Sequence, residues 1–423
     1  MEPVTVTQTY DRTWSPDLEA VHADAMDCLD VNLATLADHH HGAGTHLSLG
    51  ADLAWRPRED GAGLPTVETT LDEHLSRAGD LLGLRVAARF PDLTAGSLAE
   101  LAGMADPLYV TGDAYAMPWL PYAGRRHMEH SFLLRRGRTD FLVLDAYHND
   151  TPWGSHRPAV WQVPAPALAA MLAAGAAGLH LVPGDPPALD AAALRAAQPA
   201  AARAAAGRIP EYVGRLRDHP DRVRVMARVT LDVWLLARAR RLHAAWLAAD
   251  PHVPPGVVDA ARTHATAWAG LASQSYVAQR RVERGSAEPP AVLQTLERLL
   301  RDDVVFAARL ADGAPAGAAP AEGVPAPGPG AGGLSARVRD AVVCALCEMF
   351  GTRPAMVTAE DNLRTVPGFS SFGLVGAIER AERQLGVELD PDDLTADNLG
   401  DLATLCAIFE RAARSAPTGT GTR

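Results

Sequence analysis

The pattern of hydrophobic and polar positions divides the chain into regions of different character. From Met1 to about Pro183 the pattern is mixed. It predicts a helix over Asp27–His40 and then short β-strands over Leu108–Thr111, His130–Arg135 and Phe141–Leu144. Only a few turn residues separate the last two runs, which is close to the length of a hairpin connection.

Beyond Pro183 the pattern becomes helical. From Leu189 to Leu310 apolar residues recur at three- and four-residue spacing, with arginines on the opposite face. Residues 311–333 contain only Ala, Gly, Pro, Val and two acidic residues, so this segment cannot bury enough apolar surface to fold. A proline-rich tether of this length reaches on the order of 70 Å. We therefore expect an α+β domain (1–184), an all-helical accessory or substrate domain (185–310), a linker (311–333) and a small helical domain (334–415).

The composition narrows the possible partners and the compartment. All 39 basic residues are arginine, the formal net charge is -12, and no basic block occurs. This argues against a nucleic-acid partner and against binding to an anionic membrane surface. No apolar run approaches the roughly 18 residues that a membrane span needs, and the N-terminus shows no signal-peptide pattern. Four cysteines do not make a disulfide framework, so the sequence predicts a cytoplasmic protein.

The last domain is predicted to contain three main amphipathic helices. The first has one apolar stripe formed by Val338, Val342, Leu346 and Met349. The second opens near Ser371 and buries Leu374, Ile378 and Leu385, and the third is expected to begin at an N-cap at Asp397 or Asn398. Residues 334–414 hold 13 Asp and Glu against 8 Arg, a net charge of -5. An acidic surface of this kind suits docking onto a basic patch.

This arrangement resembles the four-helix acyl- or peptidyl-carrier domain, in which a Gly-x-Asp-Ser-Leu segment opens the second helix. Here the segment is Gly368-Phe369-Ser370-Ser371-Phe372, with Ser370 and Phe372 in place of the usual Asp and Leu. The resemblance implies that Ser371 carries 4'-phosphopantetheine, and that a phosphopantetheinyl transferase and a loading enzyme act on it. A helix N-terminus also favours a phosphodiester electrostatically. The alternative is an unmodified helical appendage.

Cys28 is the strongest candidate for a reactive side chain. It lies near the start of a predicted helix, where the helix dipole stabilises a thiolate. A nucleophilic cysteine needs a base and a group that orients the base. His130 enters one predicted strand and Asp145 ends the next, so an antiparallel hairpin places them side by side. Cys28 alone is more typical of a small buried hydrophobe, but the order Cys, His, Asp favours catalysis. His127 is a rival base on the opposite face of the strand.

With these residues the region from Asp24 to Pro164 resembles the butirosin-H type of papain-like acyltransferase. The likeness extends through Gly50–Arg56 and the Asp-x-Tyr segment at Asp113 and Tyr115, and the helical region is similar to such proteins' second domain. The resemblance implies a papain-like fold and transfer of an acyl or aminoacyl group from a carrier-bound thioester to an amine or hydroxyl acceptor in natural-product biosynthesis. It implies Cys28 as nucleophile, His130 as base and Asp145 as the orienting group. Other candidate residues are His22 for the oxyanion and Asp113 and Tyr115 for the pocket.

Two other functions remain open at this point. The same three residues suit a thioesterase or cyclase that releases the carrier-bound chain, and a non-catalytic scaffold that docks a carrier is the third possibility. The sequence predicts no metal site, because consecutive histidines on a helix (His39–His41) fan out rather than converge. Cys344 and Cys347 are expected to pack in a helical core. The arginines of Arg222–Arg241 are interpreted as a solvated face, or as a dock for the acidic carrier.

Overall fold

The computed structural model describes most of the chain. The described residues are 5–53, 55–61, 63–94, 96–97, 107–137, 140–185, 188–312, 332–360, 362–369, 371–390, 393–394 and 398–415. Almost all of the predicted linker lies outside these ranges. None of the described helices is long and apolar enough to cross a membrane.

The N-terminal region is built on a seven-stranded antiparallel sheet with the strand order β1-β10-β7-β6-β5-β11-β4. Two small hairpins, β2–β3 and β8–β9, lie outside this sheet. The strands are β1 (Thr7–Thr9), β2 (Arg58–Glu59), β3 (Pro65–Thr66), β4 (Leu84–Phe90), β5 (Leu108–Asp113), β6 (Glu129–Arg136), β7 (Phe141–Asp145), β8 (Asn149–Thr151), β9 (Gly154–His156), β10 (Ala159–Val163) and β11 (Ala176–Pro183). The three strands predicted from the sequence are confirmed, and so is the β6–β7 hairpin.

Within the described residues, the α-helices that accompany this sheet include α1 (Ser15–Ala20), α2 (Cys28–His41), α3 (Leu71–Leu82) and α4 (Ala165–Leu172). The predicted helix is α2, which the Asp27 carboxylate caps at its N-terminus and which Gly42 follows with a positive φ of 103°. Nearly every residue from Cys28 to Asp38 is buried, because α2 packs against β6 and β11 and shares a core with Val110 and Phe132. A helix that is buried on all sides shows no strong amphipathic stripe.

The second region is all-helical, as predicted. It contains α5 (Ala191–Ala206), α6 (Ile209–Asp218), α7 (Arg222–Ala249), α8 (Pro255–Glu283) and α9 (Pro290–Asp312). Two side chains from the N-terminal region, Trp55 and Leu64, pack into its core, where Trp55 lies edge-on to Tyr212. Gly50 lies so close to α7 that a Cβ there would stand 2.6 Å from the Leu242 carbonyl oxygen. The two regions therefore share an extensive interface.

The third region contains α10 (Gly332–Phe350), α11 (Pro354–Ala359), α12 (Ser371–Leu385) and α13 (Leu402–Ser415) around a core of its own. Val338, Val342, Leu346, Leu374 and Ile378 are buried as predicted, and Leu385 is partly buried. The prediction for Met349 is wrong: it is 43% exposed. The last helix begins later than expected, since the Asp401 carboxylate accepts from the Thr404 N–H at 2.7 Å. Asn398 therefore is not its N-cap, and Asp397 lies outside the described residues.

Candidate active site and carrier attachment site

Cys28 is the first residue of α2, and its surroundings are set by the helix start. The Asp27 carboxylate accepts from the N–H groups of Leu29 (2.9 Å) and Asp30 (2.8 Å). The Cys28 thiol is buried and donates to the carbonyl of Glu129 on β6 at 3.7 Å. Burial raises the pKa of Cys28 well above its usual value, and the neighbouring carboxylates of Asp27 and Asp145 raise it further. The resting group is thus a neutral thiol, so the expectation of a dipole-stabilised thiolate is wrong for this state.

His130 and Asp145 form a buried pair across the β6–β7 hairpin. His130 Nε2 lies 2.9 Å from Asp145 Oδ2, and both side chains are completely buried. In the register of the hairpin Leu133 faces Leu144, so Asp145 reaches His130 diagonally on the same face of the sheet. The sequence prediction that these two residues lie side by side is met by this geometry.

The Asp145 carboxylate is held in its ionised form. Burial acts to raise the pKa of Asp145, but His130, His156 and hydrogen bonds outweigh it and hold the pKa at about 2. Trp119 Nε1 donates to Oδ2 at 3.0 Å and the Tyr147 N–H donates to Oδ1 at 3.0 Å. An ionised carboxylate at Nε2 makes that nitrogen the N–H donor, which leaves Nδ1 with its lone pair.

The free ring nitrogen of His130 is available to act as a base. Nδ1 is buried and has no hydrogen-bond partner among the described residues. The Cys28 thiol bonds the carbonyl of Glu129, the residue directly before His130, and no hydrogen bond joins the thiol to the imidazole in the described structure. Catalytic hydrogen bonds are often long without substrate and tighten when it binds.

Two polar residues that the sequence analysis missed connect the three candidate groups. The Asn32 amide donates to the carbonyls of Ser131 (2.8 Å) and Cys28 (3.2 Å), and its oxygen accepts from the Ala146 N–H at 3.0 Å. The Ser131 hydroxyl donates to the Cys28 carbonyl at 2.5 Å. Asn32 thus joins the helix start to the strand of His130 and to the residue after Asp145. The sequence signal for Asn32 was an amide one helical turn after Cys28, between the apolar residues Val31 and Leu33, because a buried polar group needs hydrogen-bond partners.

Arg238 on α7 fixes the loop that precedes Cys28. Its guanidinium donates to the carbonyls of Ala23 (3.0 Å), Met26 (2.6 Å) and His148 (2.6 Å), and it stacks over Trp234 at 4.1 Å. Burial lowers the pKa of Arg238. The interpretation of Arg222–Arg241 as a solvated face is wrong for this residue and for Arg240, which is buried against Asp303. The helical region therefore contributes directly to the shape of the site.

The other predicted site residues lie in separate hydrogen-bond groups. His22 Nδ1 lies 2.8 Å from His46 Nε2, and His46 in turn bonds Asp38 at 2.6 Å. His46 therefore engages Nδ1 of His22, and the oxyanion role suggested for His22 stays a prediction. The main-chain N–H of Cys28 has no hydrogen-bond partner among the described residues, because Asp27 serves the N–H groups that follow.

Asp113 and Tyr115 form a surface group with His127. Asp113 Oδ2 lies 2.5 Å from His127 Nδ1, and the Tyr115 ring stacks on His127 with 4.2 Å between centroids. Asp113 faces Glu129 in the β5–β6 register, so the group lies next to the end of β6 that carries His130. His127 is exposed and lies outside β6, which supports the choice of His130 as the base.

One group of described side chains has the donor atoms of a metal site. Oxygens of Asp27 and Asp30 and a nitrogen of His74 lie within 4.8 Å of one another. Asp30 is bonded by His74 at 2.7 Å and by Arg77 at 3.1 Å. Burial alone would lower the pKa of His74, but Asp30 and Asp27 raise it to about 9. Two cations thus neutralise the two carboxylates, and the group is explained without an ion.

The histidine run and the cysteine pair have ordinary surroundings. His39 pairs with Asp17 at 2.8 Å and stacks on Trp14. Cys347 is partly buried but Cys344 is exposed, so the prediction that both pack in the core is wrong for Cys344. All four cysteines are free thiols.

The segment predicted to carry the attachment serine lies at the start of α12. Gly368 adopts a positive φ of 80°, and a Cβ at this position would stand 2.0 Å from the Phe350 carbonyl oxygen. Only glycine fits this turn. The helix then begins at Ser371. Ser370 and the side chain of Ser371 lie outside the described residues.

Residues 340–406 match the family model of the phosphopantetheine attachment site. This stretch is a carrier-protein domain. Such a domain carries 4'-phosphopantetheine attached covalently to a serine, so the chain takes part in phosphopantetheine-dependent biosynthesis. Its partners include a phosphopantetheinyl transferase and acyl-thioester substrates. The match covers the carrier region only, and the chain has no match among curated proteins.

Proposed function

We propose that the chain is a cysteine-dependent acyltransferase of natural-product biosynthesis, with a papain-like catalytic domain. It would move an acyl or aminoacyl group from the phosphopantetheine thioester of a carrier domain to an amine or hydroxyl acceptor. The observation that carries the proposal is the arrangement of Cys28, His130 and Asp145. The Cys28 thiol, at the start of α2, bonds the strand that carries His130. The buried Asp145 carboxylate binds Nε2 of His130, and Nδ1 has no hydrogen-bond partner among the described residues.

The first half-reaction transfers the acyl group to the enzyme. Cys28 Sγ attacks the thioester carbonyl while His130 Nδ1 takes the thiol proton. The bond between the acyl carbon and the pantetheine sulfur then breaks, and the imidazolium returns the proton to the leaving thiolate. The products are an acyl-Cys28 thioester and a free pantetheine thiol, and no other reactant is needed.

The second half-reaction releases the product. The acceptor amine or hydroxyl attacks the acyl-Cys28 carbonyl and gives its proton to His130 Nδ1, which passes it to the departing Cys28 sulfur. Asp145 keeps the imidazole in the tautomer that both steps need, because its own pKa of about 2 leaves it ionised. The Cys28 N–H suits the developing oxyanion in both steps, since it has no partner among the described residues.

The neutral resting state of Cys28 is compatible with this cycle. Burial keeps the thiol protonated, so a thiolate forms only as the proton moves to His130 during attack. A buried neutral thiol is also protected from oxidation, which acts on the thiolate. The enzyme would therefore react with thioesters in preference to general thiol reagents.

A cavity beside the helix start, lined by both charged and apolar side chains, offers a place for the acceptor. It has a volume of about 340 Å³ and is lined by Asp27, Asp30, His74, Arg77 and Arg238, among others. Asp27 directly precedes Cys28, so a ligand in the cavity lies close to the acyl-cysteine. Paired acidic and basic groups favour a polar acceptor such as an amine over an apolar chain.

The test is product formation by the phosphopantetheinylated, acyl-loaded full chain. Native protein with an added amine should yield the amide, and Cys28→Ala should reduce that yield at least a thousandfold. Cys344→Ala, which removes an exposed thiol of the carrier, is the matched control and should react like the native protein. Normal turnover by Cys28→Ala would contradict the proposal. Release of free acid or cyclic product at the same rate with and without the amine would favour a thioesterase or cyclase instead.

A further inference from the structure

The C-terminal part of α8 packs against the carrier domain through apolar side chains. Val277 is 1% exposed and lies in the hydrophobic core cluster of the carrier. The neighbouring Tyr276 ring meets Phe372 edge-on, with 4.5 Å between centroids. Phe372 follows Ser371 and replaces the leucine usual at this position, so the substitution places an aromatic ring against α8.

Charged residues surround this apolar contact. Arg281 Nη2 lies 2.6 Å from Glu382 Oε1 and 3.0 Å from the Leu389 carbonyl oxygen, and Arg284 pairs with Glu379 at 2.8 Å. The side chains of Arg281 and Glu382 are only 4% and 9% exposed. Arginine and glutamate are almost never buried to this degree without a partner. Each domain therefore supplies the charge that the other requires.

We propose that the face of α8 formed by Tyr276, Val277, Arg280, Arg281 and Arg284, here called the docking face, is the binding site of the chain's own carrier domain. The docking face holds α12, the helix that begins at Ser371, and so presents the phosphopantetheine arm to the catalytic region of the same molecule. The inference rests on the proposed acyl transfer, and it assigns the presentation of the arm to the carrier domain of the same molecule.

The docked helix also contacts an element that Arg238 links to the loop before Cys28. Besides α8, it lies against β8, which begins four residues after Asp145. Arg238 bonds the residue that precedes β8, and its other donors hold Ala23 and Met26 in the loop before Cys28. The buried guanidinium of Arg238 therefore connects β8, which contacts the docked helix α12, to the loop before Cys28.

Because the predicted linker joins the carrier domain to the helical region, the docking face does not need a high intrinsic affinity to bind the carrier. The connection between the helical region and the carrier is about twenty residues long, and a tether of this length corresponds to an effective concentration in the millimolar range. A docking face of modest intrinsic affinity is then mostly occupied, yet it releases the carrier for loading. The acidic residues Glu379 and Glu382 are covered while the carrier is docked, so a partner that recognises the same face must wait for release.

The experiment is hydrogen–deuterium exchange on the full-length protein, which needs neither thioester nor turnover. In the native protein the peptides covering the C-terminal part of α8 and the docked helix α12 should be protected. Arg281→Glu leaves the carrier sequence unaltered, places two carboxylates in contact and should accelerate exchange in both peptides about tenfold or more. Arg284→Glu is a second, more exposed variant that should act in the same direction, and Glu379→Arg added to it should restore much of the protection.

Arg298→Glu on α9 breaks an exposed pair with Asp302 and serves as the matched control, with no expected change at either peptide. Equal exchange in native protein, Arg281→Glu and Arg284→Glu would overturn the docking proposal. The exchange experiment and the test of acyl transfer can fail independently of each other. Loss of docking with intact acylation of Cys28 refutes only the docking face, and docking with a dispensable Cys28 refutes only the chemistry.

Discussion

Replacement of Asp145 by asparagine tests the part of the site in which geometry and electrostatics are coupled most tightly. The carboxylate accepts from His130 and Trp119 through Oδ2, and from the Tyr147 N–H through Oδ1. An amide of the same shape keeps one acceptor and replaces the other with a donor that faces these N–H groups. His130 then loses the partner that selects its tautomer, and the buried imidazolium formed during attack loses its counter-charge. Changes of this kind lower kcat by about 10³- to 10⁴-fold.

The same substitution has a predictable effect on stability and its pH dependence. The pKa of Asp145 is held at about 2, against 3.8 for the free side chain, which corresponds to about 2 kcal/mol. Because the folded pKa is lower than the unfolded one, this stabilisation is fully present above about pH 4. It is lost as the pH falls towards 2. Asp145→Asn should therefore lower the free energy of unfolding by about 2 kcal/mol at pH 7, and the difference from the native protein should shrink in acid.

The assay pairs single-turnover acylation of Cys28 with urea unfolding from pH 3 to 7. Trp119→Phe is the matched control: it removes a donor to the same oxygen and leaves the contact with His130. It should lower stability by about 1 kcal/mol and the acylation rate by less than tenfold. If folded Asp145→Asn acylates Cys28 within threefold of the native rate, the role assigned to Asp145 is refuted.

Two further substitutions test the groups that position Cys28. Asn32→Ala leaves the Ala146 N–H and the Ser131 carbonyl without partners, so it should cost about 2–4 kcal/mol in urea unfolding and slow acylation about tenfold or more. Thr35→Val, one turn further along α2, removes only a bond to the Val31 carbonyl; equal losses in the two variants would contradict the role of Asn32. Arg238→Met removes three carbonyl contacts of a buried guanidinium and should lower both thermal stability and the acylation rate. The exposed Arg241, paired with Asp24, provides the control Arg241→Met, and a similar result for both arginines would refute the role of Arg238.

The local parts of the fold and site were predictable from the sequence. Runs of apolar residues separated by a short turn predicted β6 and β7, and the hairpin then required His130 and Asp145 to be neighbours. The carrier attachment segment was predicted from its resemblance to the Gly-x-Asp-Ser-Leu motif of carrier domains. These features depend on residues close together in the chain, where period and turn length carry the information.

The parts that depend on packing between distant elements were not predictable. Arg238 and Arg240 have the spacing of a solvated helix face, and only the carbonyls and carboxylate supplied by other elements bury them. Trp55 joins the helical core from a segment with no regular period. The pKa of Cys28 also shifts in the direction opposite to the expectation, because burial and the nearby carboxylates of Asp27 and Asp145 raise it.

The most direct test of the central claim is to locate the acyl group after rapid quenching. The full chain, loaded through phosphopantetheine and mixed without an acceptor, should show the acyl mass on the peptide that contains Cys28 within the first turnover. The phosphopantetheine on the carrier should be left as a free thiol. Ser371→Ala, which removes the proposed attachment point, should give no acylated Cys28 peptide. Acyl mass that stays on the carrier arm in the native protein, while product still forms when an acceptor is added, would contradict the account.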